Sequence, residues 1–233
     1  QSPYNVTPAA LAADVSQVAI GANHTMILKK DGTLWGMGSN RDGQLGDGTT
    51  TDRPDPVRVD TEVAQVTTAS DHTLYVKKDG SLWAVGDNMN CVLGIGSAEI
   101  SIATPVKIAE GVQEVYTSYS HSIFLKADGT LWTMGTGILG DGTPDSTKLS
   151  PVQIASQVDS CAIDMWSTAY TSGGTLYAVG QTVWASMVKD YTAGAYLSMG
   201  GGELLPVPIR MGVRRLLPMR GRQGYAGGFV YIG

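Results

Sequence analysis

The sequence has few of the features that would assign it quickly. Only 16% of its 233 residues are charged, the net charge is −5, and there are two cysteines and two phenylalanines. An acidic balance, with a pI near 5.1, argues against a general nucleic-acid binder. Cys91 and Cys161 are too few for a disulfide-stapled scaffold. No run of 18 apolar residues offers a membrane-spanning helix. Gly-x-Ser-x-Gly, His-Glu-x-x-His and the phosphate loop are all missing, and no cofactor is expected. The chain opens on Gln1 without a methionine or signal peptide, as either a processed secreted protein or a trimmed chain would, and the expected location is extracellular or at the cell surface. A hydrophobic content of 42% excludes disorder, and the length allows a sizeable core. The 30 glycines are about twice the usual share but lack the three-residue period of collagen.

What is present is repetition. VAIGANHTMILKKDGTLWGMG from Val18, VTTASDHTLYVKKDGSLWAVG from Val66 and VYTSYSHSIFLKADGTLWTMG from Val115 share one pattern. His24, His72 and His121 occupy one slot, Asp31, Asp79 and Asp128 a second, and Trp35, Trp83 and Trp132 a third. A weaker copy from Ser160 puts Trp166 in the histidine slot, and a faint one runs from Val213 to Gly233. Each unit adds a later Pro-Val-x-Val/Ile run at Pro56, Pro105, Pro151 and Pro206, with an orphan copy at Pro8–Leu11.

One unit reads as four strands. HTMILKK and GTLWGMG alternate and are rich in β-formers. The Lys-Asp-Gly between them is a hairpin turn in which glycine supplies positive φ. Proline starts the last strand, at an edge where no ladder donor is lost. Four-stranded units of this length predict propeller blades whose faces are buried only by neighbours, with the Leu-Trp pairs as filler. The expected fold is therefore all-β: a single propeller domain over 1–233, with blades at about 18–65, 66–114, 115–159, 160–212 and 213–233 plus 1–17. In this reading the N-terminal strand closes the last of about five blades. A partial propeller, or one needing a partner to close, are the alternatives.

Gly38-Ser-Asn-Arg-Asp-Gly-Gln-Leu-Gly46-Asp-Gly48, following His24-Thr25 and Asp31-Gly32, resembles the repeat of the regulator of chromosome condensation family. The resemblance covers roughly residues 8–180. It implies a β-propeller, seven-bladed in the family against about five here, and a role in protein–protein binding.

Function is sought where the repeat breaks. Residues 181–203 place Trp184, Met187, Tyr191, Tyr196 and Met199 in what should be a connecting segment, and such side chains suit adaptable binding surfaces. Arg210, Arg214, Arg215, Arg220 and Arg222 cluster just after, suited to an acidic partner or a second subunit. Packing over the blades is the competing reading for the first group, and a solvated face for the second. The three histidines, 48 and 49 residues apart, are expected in the strand framework with local hydrogen bonds rather than on zinc. Asp42 to Gly48 only superficially resembles a calcium loop. The expectation is a non-enzymatic protein-binding or adhesion module, with no catalytic or metal site. The alternative is a structural subunit of a surface assembly, self-associating through the irregular C-terminal third.

Overall fold

The computed structural model describes residues 10–144, 146–180, 203–209, 216–218 and 229–231. Among these residues there is no helix. The described residues form four antiparallel sheets of four strands each, hydrogen-bonded in sequence order. The first comprises β1 (Val15–Ile20), β2 (His24–Lys29), β3 (Leu34–Gly38) and β4 (Arg53–Asp60). The second comprises β5 (Val63–Ala69), β6 (His72–Lys77), β7 (Leu82–Asp87) and β8 (Ser101–Ala109). The third comprises β9 (Val112–Thr117), β10 (His121–Lys126), β11 (Leu131–Gly137) and β12 (Ser146–Ala155). The fourth comprises β13 (Ser160–Ile163), β14 (Ser167–Ser172), β15 (Thr175–Gly180) and β16 (Glu203–Ile209). β17 (Leu216–Pro218) pairs with β18 (Phe229–Tyr231).

The inner strands β1, β5, β9 and β13 follow one another, each beside the next, and β17 lies beside β13. This is the blade arrangement of a propeller, as the repeat predicts. The strand proposed to close the ring, Pro8–Leu11, falls mostly outside the described residues; Ala10 and Leu11 are described and carry no strand.

The core lies between blades. Met26, Leu28 and Leu34 of the first sheet, with Leu45 of its β3–β4 loop, meet Val63, Val66 and Tyr75 of the second. Leu74, Leu82, Val92 and Leu93 of the second meet Val115, Phe124 and Met134 of the third. Ile123, Leu125 and Leu131 meet Cys161, Ile163 and Tyr170. Each such side chain contributes about 1.5–3 kcal/mol on full burial. The Leu-Trp pair divides its labour. Leu34, Leu82 and Leu131 are wholly buried, while the tryptophans are only half-buried. Lys29, Lys77 and Lys126 lie over Trp35, Trp83 and Trp132 at 4.7, 5.5 and 4.8 Å, which covers each indole face with a cation.

Two expectations need correction. The proline strands begin earlier than their prolines: Pro56, Pro105, Pro151 and Pro206 sit inside β4, β8, β12 and β16. Each of these prolines lies in a bulge of its own strand, where three residues stand opposite one residue of the neighbouring strand just before its closing glycine, so the missing N–H costs no ladder bond. In the fourth blade Ser167, not Trp166, takes the histidine slot. Gly38, Gly86 and Gly135 pair with His24, His72 and His121, whereas Gly180 pairs with Ser167. The cause is the Gly173-Gly174 turn, with φ of 55° and 77°, which is a residue shorter than the Lys-x-Asp-Gly hairpins.

The entry to each inner strand is a further repeated feature. Asp14, Glu62 and Gln157 adopt φ of 55–57°, and Gly111 stands in the same slot at 70°. Lys30, Lys78 and Ala127 donate their N–H to the carbonyls of Asp14, Glu62 and Gly111 respectively. A left-handed conformation is costly for a residue with a Cβ and free for glycine. Replacing Gln157 with Gly is therefore expected to stabilise the protein by roughly 0.5 kcal/mol, the relieved strain outweighing the extra freedom of the unfolded chain. Chemical denaturation checks this, and a destabilised variant would show that the slot carries no strain.

A candidate interaction face built from inter-blade loops

Antiparallel order sends the chain ends of each blade to two opposite faces. The Asp-Gly hairpins emerge on one. The connections after the inner strands and after β3, β7 and β11 emerge on the other, the loop face. The hairpin face repeats one network. The Asp31, Asp79 and Asp128 carboxylates accept from the backbone N–H and hydroxyl of Thr33, Ser81 and Thr130, and each hydroxyl accepts from the indole N–H of Trp35, Trp83 or Trp132 at 2.9 Å. Those bonds hold the three carboxyls below the usual range.

The histidines stand just beneath the loop face; His121 Nδ1 has the local partners expected of it, Ser118 Oγ and Ser120 Oγ at 3.2 Å, but the Nε2 bonds of all three are long-range. Each reaches the next blade. His24 Nε2 lies 3.1 Å from Thr73 Oγ1, His72 Nε2 lies 2.6 Å from Thr117 Oγ1, and His121 Nε2 lies 3.1 Å from Thr168 Oγ1. Thr73 in turn donates to the Gln44 carbonyl in the first blade's loop, so its oxygen accepts from His24 Nε2–H. At the next junction the relay runs from His72 through Thr117 and Ser122 to the Val92 carbonyl. Burial pushes the three imidazoles down to about 4, 3 and 4, so each is neutral at pH 7. Nearer the inner strands, the Gln17 amide exchanges two hydrogen bonds with the Val66 backbone, and the Gln65 amide does the same with Val115.

The loops themselves are rigidly held. Asn40, fully buried, donates to Asp47 and to the Thr49 and Thr51 carbonyls and accepts from the Leu45 N–H. Asn88 repeats this with Ser97, Glu99 and Leu93. The Asp47 carboxylate is taken up by Asn40, Thr49 and Arg53, an arrangement that braces the loop instead of offering a calcium ligand. No group of three or more metal-ligating side chains occurs among the described residues. Cys91 and Cys161 are buried free thiols, and burial raises both pKa values, so neither is a reactive thiolate.

Neighbouring loops are clasped to each other. Gln44 Nε2 donates to Asp71 Oδ1 at 3.1 Å, Asn90 Nδ2 to the Tyr119 carbonyl at 3.1 Å, and Ser120 Oγ to the Met165 carbonyl at 2.7 Å. On this braced ridge large apolar side chains stand out. Met89 is 71% exposed, Tyr119 51% and Trp166 40%, with Ile20 and Ile100 on the same face. Carboxylates lie among them. Burial raises the Asp87 pKa, opposed by the Met89 N–H, and the nearby charges of Asp42 and Asp71 add to the rise.

Trp184, Met187, Tyr191, Tyr196, Met199, Arg210, Arg214, Arg215, Arg220 and Arg222 lie outside the described residues. Met89, Tyr119 and Trp166 were not singled out as binding residues by sequence. The available signal was their divergence at slots held elsewhere by Arg41, by Ala22 and by the turn residue Asn23.

The family model described as the regulator of chromosome condensation (RCC1) repeat matches residues 31–76, and a second model of that repeat matches residues 15–44. The chain thus carries repeats of this type. Its fold is similar to that of human WBSCR16, with a TM-score of 0.71 and 22% identity over 84% of this chain and 53% of that one. It is also similar to Prp20p from Saccharomyces cerevisiae, with a TM-score of 0.70 and 19% identity over 94% of this chain and 56% of that one. The chain spans about half the length of these structures. Prp20, the yeast RCC1, has been crystallised bound to Kap60, and a second structure is described with its binding to Gsp1p and histones.

Proposed function

We propose that the protein is a non-enzymatic protein-binding module that engages its partner through the loop face. The observation that carries this is the asymmetry of the two faces. Met89, Tyr119 and Trp166 are presented on loops pinned by inter-blade hydrogen bonds, whereas the described hairpins present Asp-Gly turns and lysines. Aromatic side chains on pinned loops supply contact area at low entropic cost, and methionine adds an adaptable apolar contact. The protein partners in the description of Prp20 support the same class of function. Secretion or surface display is a separate part of the proposal, and protease accessibility on intact cells tests it.

The direct experiment is quantitative affinity capture with three baits: the intact protein, a M89S/Y119S/W166S variant, and a hairpin-face K30S/K78S control. Matching melting curves establish that the baits are folded. Proteins captured by the intact and control baits should be lost from the triple variant. Identical capture by all three would overturn the assignment of the face. Self-association lost with the triple variant would favour an assembly subunit.

A further inference from the structure

We propose that the arc formed by Met89, Tyr119 and Trp166 takes an extended polypeptide segment that carries both basic and apolar side chains. This rests on the loop-face reading and specifies the partner's chemistry.

The argument begins with continuity. The three side chains belong to successive blades, and the Asn90–Tyr119 and Ser120–Met165 bonds tie their loops into one ridge. An occupant must therefore run across blades, meeting apolar contacts in series. An exposed apolar patch on braced loops cannot bury itself by local collapse, so a partner is what would remove it from water.

The charge on the ridge selects the partner. Asp87 is half-buried beside Met89 and accepts its backbone N–H at 3.1 Å. Asp42 and Asp71 are close enough for their charges to act on it. Asp71 Oδ1 takes the Gln44 amide, and Ser70 Oγ lies 3.4 Å from its other oxygen. Arg41, exposed on the first blade's loop, is the cation next to this group in sequence. Gln44 links Asp42 to Asp71, and the Asp71 carbonyl takes the Asp87 N–H, so the three carboxylates lie side by side. An acidic segment would add a like charge there, whereas a lysine or arginine would offset theirs while its stem covers apolar surface. Complementarity of this kind sets specificity and the rate of encounter.

Fluorescence anisotropy with three labelled peptides of equal length tests this: alternating Leu-Arg, alternating Leu-Glu and alternating Ser-Arg. The Leu-Arg peptide should bind at least tenfold more tightly than the others. It should weaken as salt rises from 50 to 300 mM, and lose at least tenfold in affinity to both D42N/D71N and M89S/Y119S/W166S. Asp87 is left intact because it holds the Met89 backbone, and asparagine at 71 still accepts from Gln44. Equal binding of the Ser-Arg peptide, or no effect of D42N/D71N, overturns the proposal. If the Leu-Glu peptide binds and the triple variant abolishes it, the basic partner is wrong while the loop face stands. If no peptide binds, the proposal falls, and the capture experiment decides separately on the face.

Discussion

Acidification from pH 7 to about pH 4.5 is expected to strip the protein of most of its stability, ahead of the titration of most of its carboxylates. The three histidines are neutral, buried and bonded across blade junctions, with pKa values lowered by burial to about 4, 3 and 4. In the unfolded chain a histidine titrates near 6.5. Between these values the folded protein binds fewer protons than the unfolded one, so stability is complete above about pH 6.5 and declines as the pH falls towards the folded values. With three groups acting together the slope approaches about 4 kcal/mol per pH unit in the middle of the window, and each contributes on the order of 3 kcal/mol in all. Urea denaturation at intervals between pH 7.5 and 4.5 measures it directly. His72→Gln should lower stability at pH 7, because its link to Thr117 is altered, yet flatten the slope by about one proton. A stability profile that is level between pH 6.5 and 4.5 would show that the histidines protonate without disturbing the junctions.

These junctions also mark what was and was not legible in the sequence. The blade was legible because its parts are local: alternation, an Asp-Gly turn and a fixed interval to the next strand. That each histidine is structural also followed from its repetition. Its partner did not, because Thr73 and Thr168 belong to the next blade, and a spacing of 49 or 47 residues carries no sign of contact. The fourth blade was misregistered for a related reason. Matching a window of fixed length cannot detect one residue deleted at Gly173-Gly174, whereas cross-strand pairing can. The face was harder still. Trp166 drew notice only as a replaced histidine, and its exposure in the turn before Ser167 follows from that deletion. Exposure is set by what the neighbouring blade covers, and Met89 and Tyr119 read as unremarkable loop residues until their loops are seen clasped together.

The closing glycine of each blade should be the least replaceable residue in the repeat. Gly38, Gly86, Gly135 and Gly180 have φ between 105° and 135° and pair with the histidine slot. A Cβ on Gly86 would stand 2.5 Å from the Asp71 carbonyl and 2.7 Å from the His72 Cα, and one on Gly135 would meet the Ser120 carbonyl and His121 Cα in the same way. The obstacle is backbone, which cannot rotate aside like a side chain. That same carbonyl is already engaged: Asp71 accepts from the Asp87 N–H and Ser120 from the Thr136 N–H, so moving it breaks the bond that joins the two loops. Gly86→Ala is expected to cost more than about 3 kcal/mol, combining left-handed strain with displacement of the strand that carries His72. Gly111 supplies the control. It too has positive φ, but a Cβ there meets nothing within 4 Å, and Asp14, Glu62 and Gln157 fill the same slot in other blades. Gly111→Ala should cost only about 1 kcal/mol, the price of the conformation alone. Denaturation of the two variants separates strain from steric exclusion. Equal losses would mean that the closing glycine is needed for its φ and not for the close approach of the histidine strand.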